Sequence, residues 1–412
     1  MPTSAPTDHP ADTPGHHSTP VDVGSRRAEQ WAATMAGHGD DAAPIRHAHA
    51  DGHCTVIPAP IHDRLAREAL EEQVLTEGAT LALGGGNRSR PETADPIRTC
   101  FERDRDRILH GTTAFRRLAG KTQVFIFPED HQRTRMTHAL EVAQVATSVA
   151  RAVGLNVALT EAIALGHDCG HGPGGHASED AFTPYVPGGY DHAVWGADVV
   201  LEPLNLCRET LDGIRNHSWS RPAPFTPEGE VVSWADRIAY VCHDFEDAVH
   251  AGIVSSAMLP PMVRERCGEG RSRQLRSFIV AMVDTITTTG HIAMSEPMAE
   301  ALAEFRRFNY ESIYMRPASV SQSESVIRVL RALVEYYADR PNTLPFDGES
   351  DHDRRGHDEA GRPRPVRAAG SAEAVHDAVS YVAGMTDRFA FNSAIANLGW
   401  DRSTLPQGVG GR

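Results

Sequence analysis

The chain has 412 residues, with 55 acidic against 40 basic side chains and a formal charge of −15, and 40% of it is hydrophobic. That length and apolar fraction suffice for one large packed domain or two small ones, and the negative balance argues against dedicated nucleic-acid binding. No apolar run is long enough to span a bilayer, and residues 1–20 lack the basic-then-apolar pattern of an export signal, so a cytoplasmic protein without membrane association is expected. The six cysteines are scattered without a C-x-x-C pair, as in a reduced protein.

Residues 1–55 are rich in Pro, His, Asp, Thr and Ala and show no sustained period, which predicts a mobile extension. A short helix is expected over Ile61–Glu77 and a loop at Gly84-Gly85-Gly86. Phe101–Leu118 reads as one helix ending near Gly120. Gly120-Lys121-Thr122 invites a phosphate-loop reading, but the glycine that motif requires five residues earlier is Phe115. From Arg98 to Arg135 there are nine basic and five acidic residues, a local positive excess that suits a small polyanion. Lys121 is the only lysine in the chain. Gln123–Phe127 is a short extended run stopped by Pro128.

From Met136 to Val153 apolar residues recur at three- and four-residue steps, and Gly154 supplies a stop. A second helix follows, with Asn156 as its N-cap. It ends at His167-Asp168, because Gly170 and the run Gly172-Pro173-Gly174-Gly175 cannot continue it. Helices are also expected from His192, up to Asn216, over Val231–Ile253, and again over Gln274–Thr289, Met298–Phe308, Val326–Tyr337 and Ala374–Leu398. The expected fold is all-α with little strand. It would comprise an extension (1–55), a core (56–340), a long loop or linker (341–372), and a C-terminal helix packed on the core with its tail (373–412).

The chemistry concentrates in three places. His138 projects from the first turn of one helix, and His167 with Asp168 closes the next. Two imidazoles and a carboxylate suit a first-row transition metal. A further ligand is sought on the Val231–Ile253 helix, where Asp236, Tyr240 and Asp244 stand at i, i+4 and i+8 on one face of a mostly apolar element. A carboxylate there needs a cation or a donor, so Asp236 is the expected fourth ligand.

His138, then His167-Asp168, then Asp236 resembles the signature of the HD-domain metal phosphohydrolases. The runs Phe115–Phe125, Arg133–Ala143, Ala162–Glu179 and Trp234–Asp244 resemble the bacterial deoxyguanosinetriphosphate triphosphohydrolase branch, over roughly residues 97–340, with a weaker echo at Ala383–Arg388. The resemblance implies an HD-type helical fold and one divalent ion (Mg, Mn or Fe) on His138, His167, Asp168 and Asp236. It implies that His176 acts on the scissile phosphate with Glu179 orienting it, and that His171 and His192 are further phosphate-side histidines. It assigns Arg135 and Arg237 to the triphosphate, and Gln123, Tyr240 and Asp244 to the deoxyribose. It further implies hydrolysis of a deoxynucleoside triphosphate to deoxynucleoside and triphosphate in a homo-oligomer. The alternatives are an HD nucleotidase or phosphodiesterase, which would have no use for the sugar pocket, and a weakly active nucleotide sensor.

Overall fold

Apolar residues at helical spacing dominate the chain, and a computed structural model shows sixteen α-helices among the described residues, which are 23–40, 44–52, 54–124, 132–345 and 366–405. The expected all-α class is what is found: the only paired strands among those residues are two of two residues each. The chain divides into two compact units, Met1–Ile61 and His62–Arg412.

The first unit holds α1 (Val23–Met35) and an antiparallel pair, β1 (His38–Gly39) with β2 (Arg46–His47). No regular element was expected there. Ala28, Glu29 and Ala32 favour helix by propensity even though the segment lacks an apolar stripe. The rest of the expected extension, residues 1–22, 41–43 and 53, lies outside the described residues.

The second unit runs α2 (Arg64–Val74), α3 (Cys100–His110), α4 (Thr113–Arg117), α5 (Arg135–Val153), α6 (Val157–Gly166), α7 (His176–Phe182), α8 (His192–Trp195), α9 (Arg208–Arg215) and α10 (Pro227–His250). It continues with α11 (Pro261–Cys267), α12 (Arg271–Thr289), α13 (Glu296–Asn309), α14 (Pro317–Asp339), α15 (Ala372–Ala383) and α16 (Asp387–Leu398). Most of the expected linker (346–365 of 341–372) and the end of the expected extended run (125–127 of 123–127) lie outside the described residues.

Helix ends follow local chemistry. The single helix expected over Phe101–Leu118 is two, because Gly111 caps α3 and the Thr112 side chain accepts from the Ala114 amide to start α4. The helix expected over Ala374–Leu398 breaks in the same way. Gly384 ends α15, and Thr386 caps α16 by accepting from the Phe389 amide. Asn156 caps α6 as expected, its side chain accepting from the Leu159 amide.

Two apolar clusters form the interior. One joins α3, α5, α6 and α10 through Ile108, Val142, Ile163 and Ile238, and extends to Met282 and Phe305 on α12 and α13. The other joins α7, α14, α15 and α16 through Phe182, Leu330, Leu333, Val379 and Ala390. Each fully buried large aliphatic contributes about 1.5–3 kcal/mol by leaving water. The packing of α5 against α6 and α10 brings His138, the end of α6, and Asp236 to one place.

The C-terminal pair is fastened to the loops beside that place. The buried Asp387 carboxylate accepts from the Thr122 amide (2.9 Å), the Thr122 hydroxyl (2.6 Å) and the Gly174 amide (2.8 Å). Lys121 is buried as well, and its ammonium donates to the Ala383 carbonyl at 2.9 Å and to the His171 carbonyl. Burial pushes the Lys121 ammonium down to about 8. With its donors committed to main-chain carbonyls inside the protein, Lys121 is a staple and not a phosphate-loop lysine.

Replacing Asp387 by Ala leaves three buried donors without an acceptor. Each such group costs roughly 1–3 kcal/mol in mutational series. Asp387→Ala is therefore expected to lower the urea midpoint markedly at an unchanged m-value, measured by circular dichroism; an unchanged midpoint would contradict the clamp.

Candidate active site

The four expected ligands meet. His138 Nε2 lies 3.0 Å from Asp236 Oδ1, and His167 Nε2 lies 3.7 Å from the same oxygen and 3.5 Å from Asp168 Oδ1. Adjacent residues His167 and Asp168 can both face the centre because α6 has just ended there. His167 Nδ1 donates back to the Ala164 carbonyl at 2.7 Å, which turns its Nε2 lone pair inward. That Nε2 is fully buried and has no hydrogen-bond partner. An orphaned buried imidazole nitrogen between two carboxylates is the donor arrangement a divalent cation satisfies.

The electrostatics agree. Burial opposes ionisation of Asp236, but the hydrogen bond from His138 and the nearby His167 outweigh it and hold the carboxyl low. Burial likewise opposes ionisation of Asp168, yet Arg135, His167 and His171 keep it well below the usual carboxylate range. Both carboxylates are therefore anionic and ready for a cation.

Arg135 was expected to face a triphosphate. Its Nη1 instead donates to Asp168 Oδ2 at 2.7 Å, with the guanidinium almost wholly enclosed. Its Nε and Nη2 are buried without partners. Gly175 covers them: a Cβ at this position, where φ is +61°, would fall 2.4 Å from Nη2. Arg135 is thus placed as the orienting partner of the Asp168 carboxylate.

The histidines after the HD pair form one group. His171 Nε2 is 3.2 Å from Asp168 Oδ1, and its ring stacks on His192 at 3.7 Å. Gly170 permits this, since a Cβ there would lie 2.0 Å from the His192 carbonyl oxygen. His176 sits edge-on to His171 with ring centroids 5.0 Å apart, and it reaches solvent at the mouth of the site. The protein packed around its ring, then Arg135, push the His176 imidazole down to about 4. Glu179 does not orient His176 by a hydrogen bond, as had been expected. Its Oε1 accepts from the His192 amide (3.0 Å) and lies 2.7 Å from His192 Nδ1, because α8 brings His192 across the face of α7.

His217 escapes detection in the sequence, where it only marks a helix end. Its Nε2 stands 3.3 Å from His192 Nε2, and its Nδ1 is 2.7 Å from the Ile214 carbonyl. Like His167, it follows the last turn of a helix and donates back three residues, a contact that only the structure shows.

The face of α10 continues from the metal set. Arg237 lays its guanidinium over the Trp219 ring at 3.7 Å, with its Nε buried and unpartnered. The Tyr240 hydroxyl accepts from Arg306 Nε at 2.8 Å. Asp244 is buried and accepts from the Tyr314 hydroxyl at 2.5 Å. Tyr314 lies in a π-helical turn (Tyr310–Tyr314) at the end of α13, which no periodicity announces. Gln123 has a buried Oε1 without a partner.

Comparison with known proteins fits this geometry. Residues 135–241 match the HD domain and residues 292–394 the phosphohydrolase-associated domain. A deoxyguanosinetriphosphate triphosphohydrolase-like protein of Caldanaerobacter subterraneus subsp. tengcongensis is 38% identical, over 78% of this chain and 92% of its own. The chain belongs to the deoxyguanosinetriphosphate triphosphohydrolase-like family. A relative of the same description from Clostridium perfringens is 37% identical over 74% of this chain and 88% of its own. A solved phosphohydrolase of Bacteroides thetaiotaomicron is 18% identical, with a TM-score of 0.45 over 73% of this chain and 70% of that one. As a member of an HD phosphohydrolase family, the protein is a hydrolase whose buried His and Asp groups suit a divalent metal. Among the described residues no helix is long and apolar enough to cross a membrane.

Burial pushes the Asp244 carboxyl up to about 7, and Asp247 adds to it against the Tyr314 hydrogen bond, His138 and Arg133. A folded-state value above the unfolded one of about 3.9 means the folded protein holds this proton more tightly. The stabilisation is complete below about pH 4 and is lost as pH rises through about 7. Asp244→Asn removes the titration and keeps an acceptor. The unfolding free energy of the parent relative to Asp244→Asn should therefore fall between pH 5 and pH 7.5; parallel curves in urea titrations would contradict the shift.

Proposed function

We propose that this protein hydrolyses deoxynucleoside triphosphates, dGTP among them, to deoxynucleoside and inorganic triphosphate. The observation that carries the reading is the continuity of the His138–His167–Asp168–Asp236 set with Tyr240 and Asp244, one and two turns further along α10. A metal-bound phosphate there would bring its nucleoside along that face. The name borne by the relatives supports a nucleotide substrate.

A divalent ion on the four ligands, with Mn, Mg and Fe as the candidates, would supply Lewis acidity and a water of lowered pKa. The remaining work falls to the chain. A new bond forms between a water oxygen and the α-phosphorus, the bond from that phosphorus to the sugar 5′-oxygen breaks, and the leaving oxygen needs a proton. His176, at the mouth, is the donor. Its proton affinity is low in the free protein, and the phosphate oxygens of bound substrate raise it by favouring imidazolium. Arg237, lying over the Trp219 ring, offers its guanidinium to the phosphates. Arg135 contributes by fixing Asp168.

For the sugar, Tyr240 is immobilised by Arg306 and forms a wall against C2′. Asp244, with Tyr314, and the unpartnered Gln123 Oε1 would bind the 3′-OH. A 2′-OH pressed on that wall without a partner costs roughly 1–3 kcal/mol, about five- to 150-fold.

Products from dGTP separated by anion exchange should be deoxyguanosine and tripolyphosphate; pyrophosphate or orthophosphate would identify a different HD hydrolase. The ratio of kcat/KM for dGTP over GTP should be high in the parent and should narrow in Tyr240→Ala through a gain on GTP. Equal parental efficiencies would remove the sugar pocket. In His176→Ala, metal content and substrate binding should persist while kcat falls on the order of 10²-fold or more. An unchanged kcat with a raised KM would make His176 a binding residue only.

A further inference from the structure

Trp219 lies in the loop that joins α9 to α10, where the Ser218 carbonyl accepts from the Arg221 amide at 2.9 Å and closes a turn. Although 47% exposed, its ring is fixed on two sides. The indole Nε1 donates to the Ser233 carbonyl at 3.1 Å, and the Trp234 ring meets it edge-on with centroids 4.8 Å apart. Ser233 and Trp234 both belong to α10, one turn before Arg237. A helical side chain leans towards the N-terminus of its helix, so Arg237 projects over that same turn. Its guanidinium carbon comes to 3.7 Å from the centre of the Trp219 ring. The loop is tied down at its other side too, since Arg221 Nη1 lies 3.8 Å from Asp191 Oδ2, next to His192.

The kind of contact matters for Arg237. This half-buried arginine follows Asp236 directly, and among the described residues no carboxylate forms an ion pair with it. Burial pulls its ionisation down, and Arg306 adds to this against Tyr240 and Asp236. A guanidinium so placed needs a compensating attraction. An aromatic ring supplies one through its π-face and consumes no N–H donor. A carboxylate would engage the donors instead, as Asp168 engages Nη1 of Arg135. Arg237 therefore keeps its donors for an incoming oxyanion, and its buried Nε has no partner within the protein.

We propose that Trp219 is a positioning residue for phosphate binding. Its ring holds Arg237 in place and leaves the N–H groups free for the phosphate oxygens of the substrate. The proposal rests on the reading of Arg237 as a phosphate ligand. It deepens that reading by naming the side chain that sets its geometry, on a loop remote in sequence from the ligand set.

The test is steady-state hydrolysis of dGTP by the full-length protein at constant free Mn²⁺, with tripolyphosphate and deoxyguanosine as inhibitors. In Trp219→Ala, KM for dGTP and the inhibition constant of tripolyphosphate should both rise, roughly two- to thirtyfold, the range expected for a lost cation–π contact. The turnover number should change little, and inhibition by deoxyguanosine, which carries no phosphate, should stay at the parental level. Trp219→Phe should recover most of the affinity, whereas Trp219→Leu, which keeps apolar bulk without a π-face, should not. In an Arg237→Ala background, Trp219→Ala should add nothing. If Trp219→Ala fails to fold by circular dichroism, the contrast between Trp219→Phe and Trp219→Leu decides. Parental affinity for tripolyphosphate in Trp219→Ala, equal behaviour of the Phe and Leu variants, or a further full loss in the Arg237→Ala background would each overturn the proposal and leave the hydrolytic reading standing. Unchanged tripolyphosphate inhibition in Arg237→Ala alone would overturn the phosphate role of Arg237, and this proposal with it. No hydrolysis of dGTP by the parent would overturn the proposed function as well.

Discussion

The Asp168 carboxylate, buried and held by Arg135 at 2.7 Å, is the constraint on which the rest of the site depends. A buried carboxylate is costly unless charge and hydrogen bonds compensate it, and removing the partner of a buried ion pair typically costs about 3–5 kcal/mol. Arg135 comes from the first turn of α5, three residues before His138, so one contact fixes both the HD turn and the entry of the helix that carries His138. The glycine loop closes over the same guanidinium. The local sequence around His167-Asp168 is thus shaped by the need to pack main chain against Arg135 on one side and against α8 on the other.

A second tier of polar contacts holds those elements. Arg133, just before α5, donates to Glu141 at 2.9 Å, to Glu246 at 2.7 Å and to Asp247, and so locks α5 to the far end of α10. Asp387 and Lys121 do the equivalent from the C-terminal helices. The basic excess before the site is therefore spent largely inside the protein. Arg98, Arg103, Arg105 and Arg107 likewise pair with nearby acids, whereas Arg237 lies over the Trp219 ring.

Much of this was legible in the residues alone. The period of α5, the glycine stop after His167-Asp168 and the carboxylate on an apolar α10 were enough to nominate the four ligands, because acids and imidazoles buried together are costly unless a cation compensates them. Long-range pairings were not legible. That Glu179 serves His192, that Asp387 reaches Gly174, and that Tyr314 meets Asp244 depend on which helices pack, and no local pattern encodes it. His217 was missed for a different reason. A single histidine at a helix end carries no periodic signal, and its importance appears only when His192 is brought opposite. The broken helices at Gly111 and Gly384 show the same limit on a smaller scale: apolar spacing continues across a cap whose threonine has already restarted the chain.

Everything proposed for the site turns on which bond is broken, the one between the α-phosphorus and the sugar oxygen. Hydrolysis of dGTP in ¹⁸O-labelled water, followed by mass spectrometry of both products, tests it most directly. One labelled oxygen in the tripolyphosphate and none in the deoxyguanosine is the predicted result. Label in the deoxyguanosine hydroxyl, or label released as orthophosphate or pyrophosphate, would contradict it.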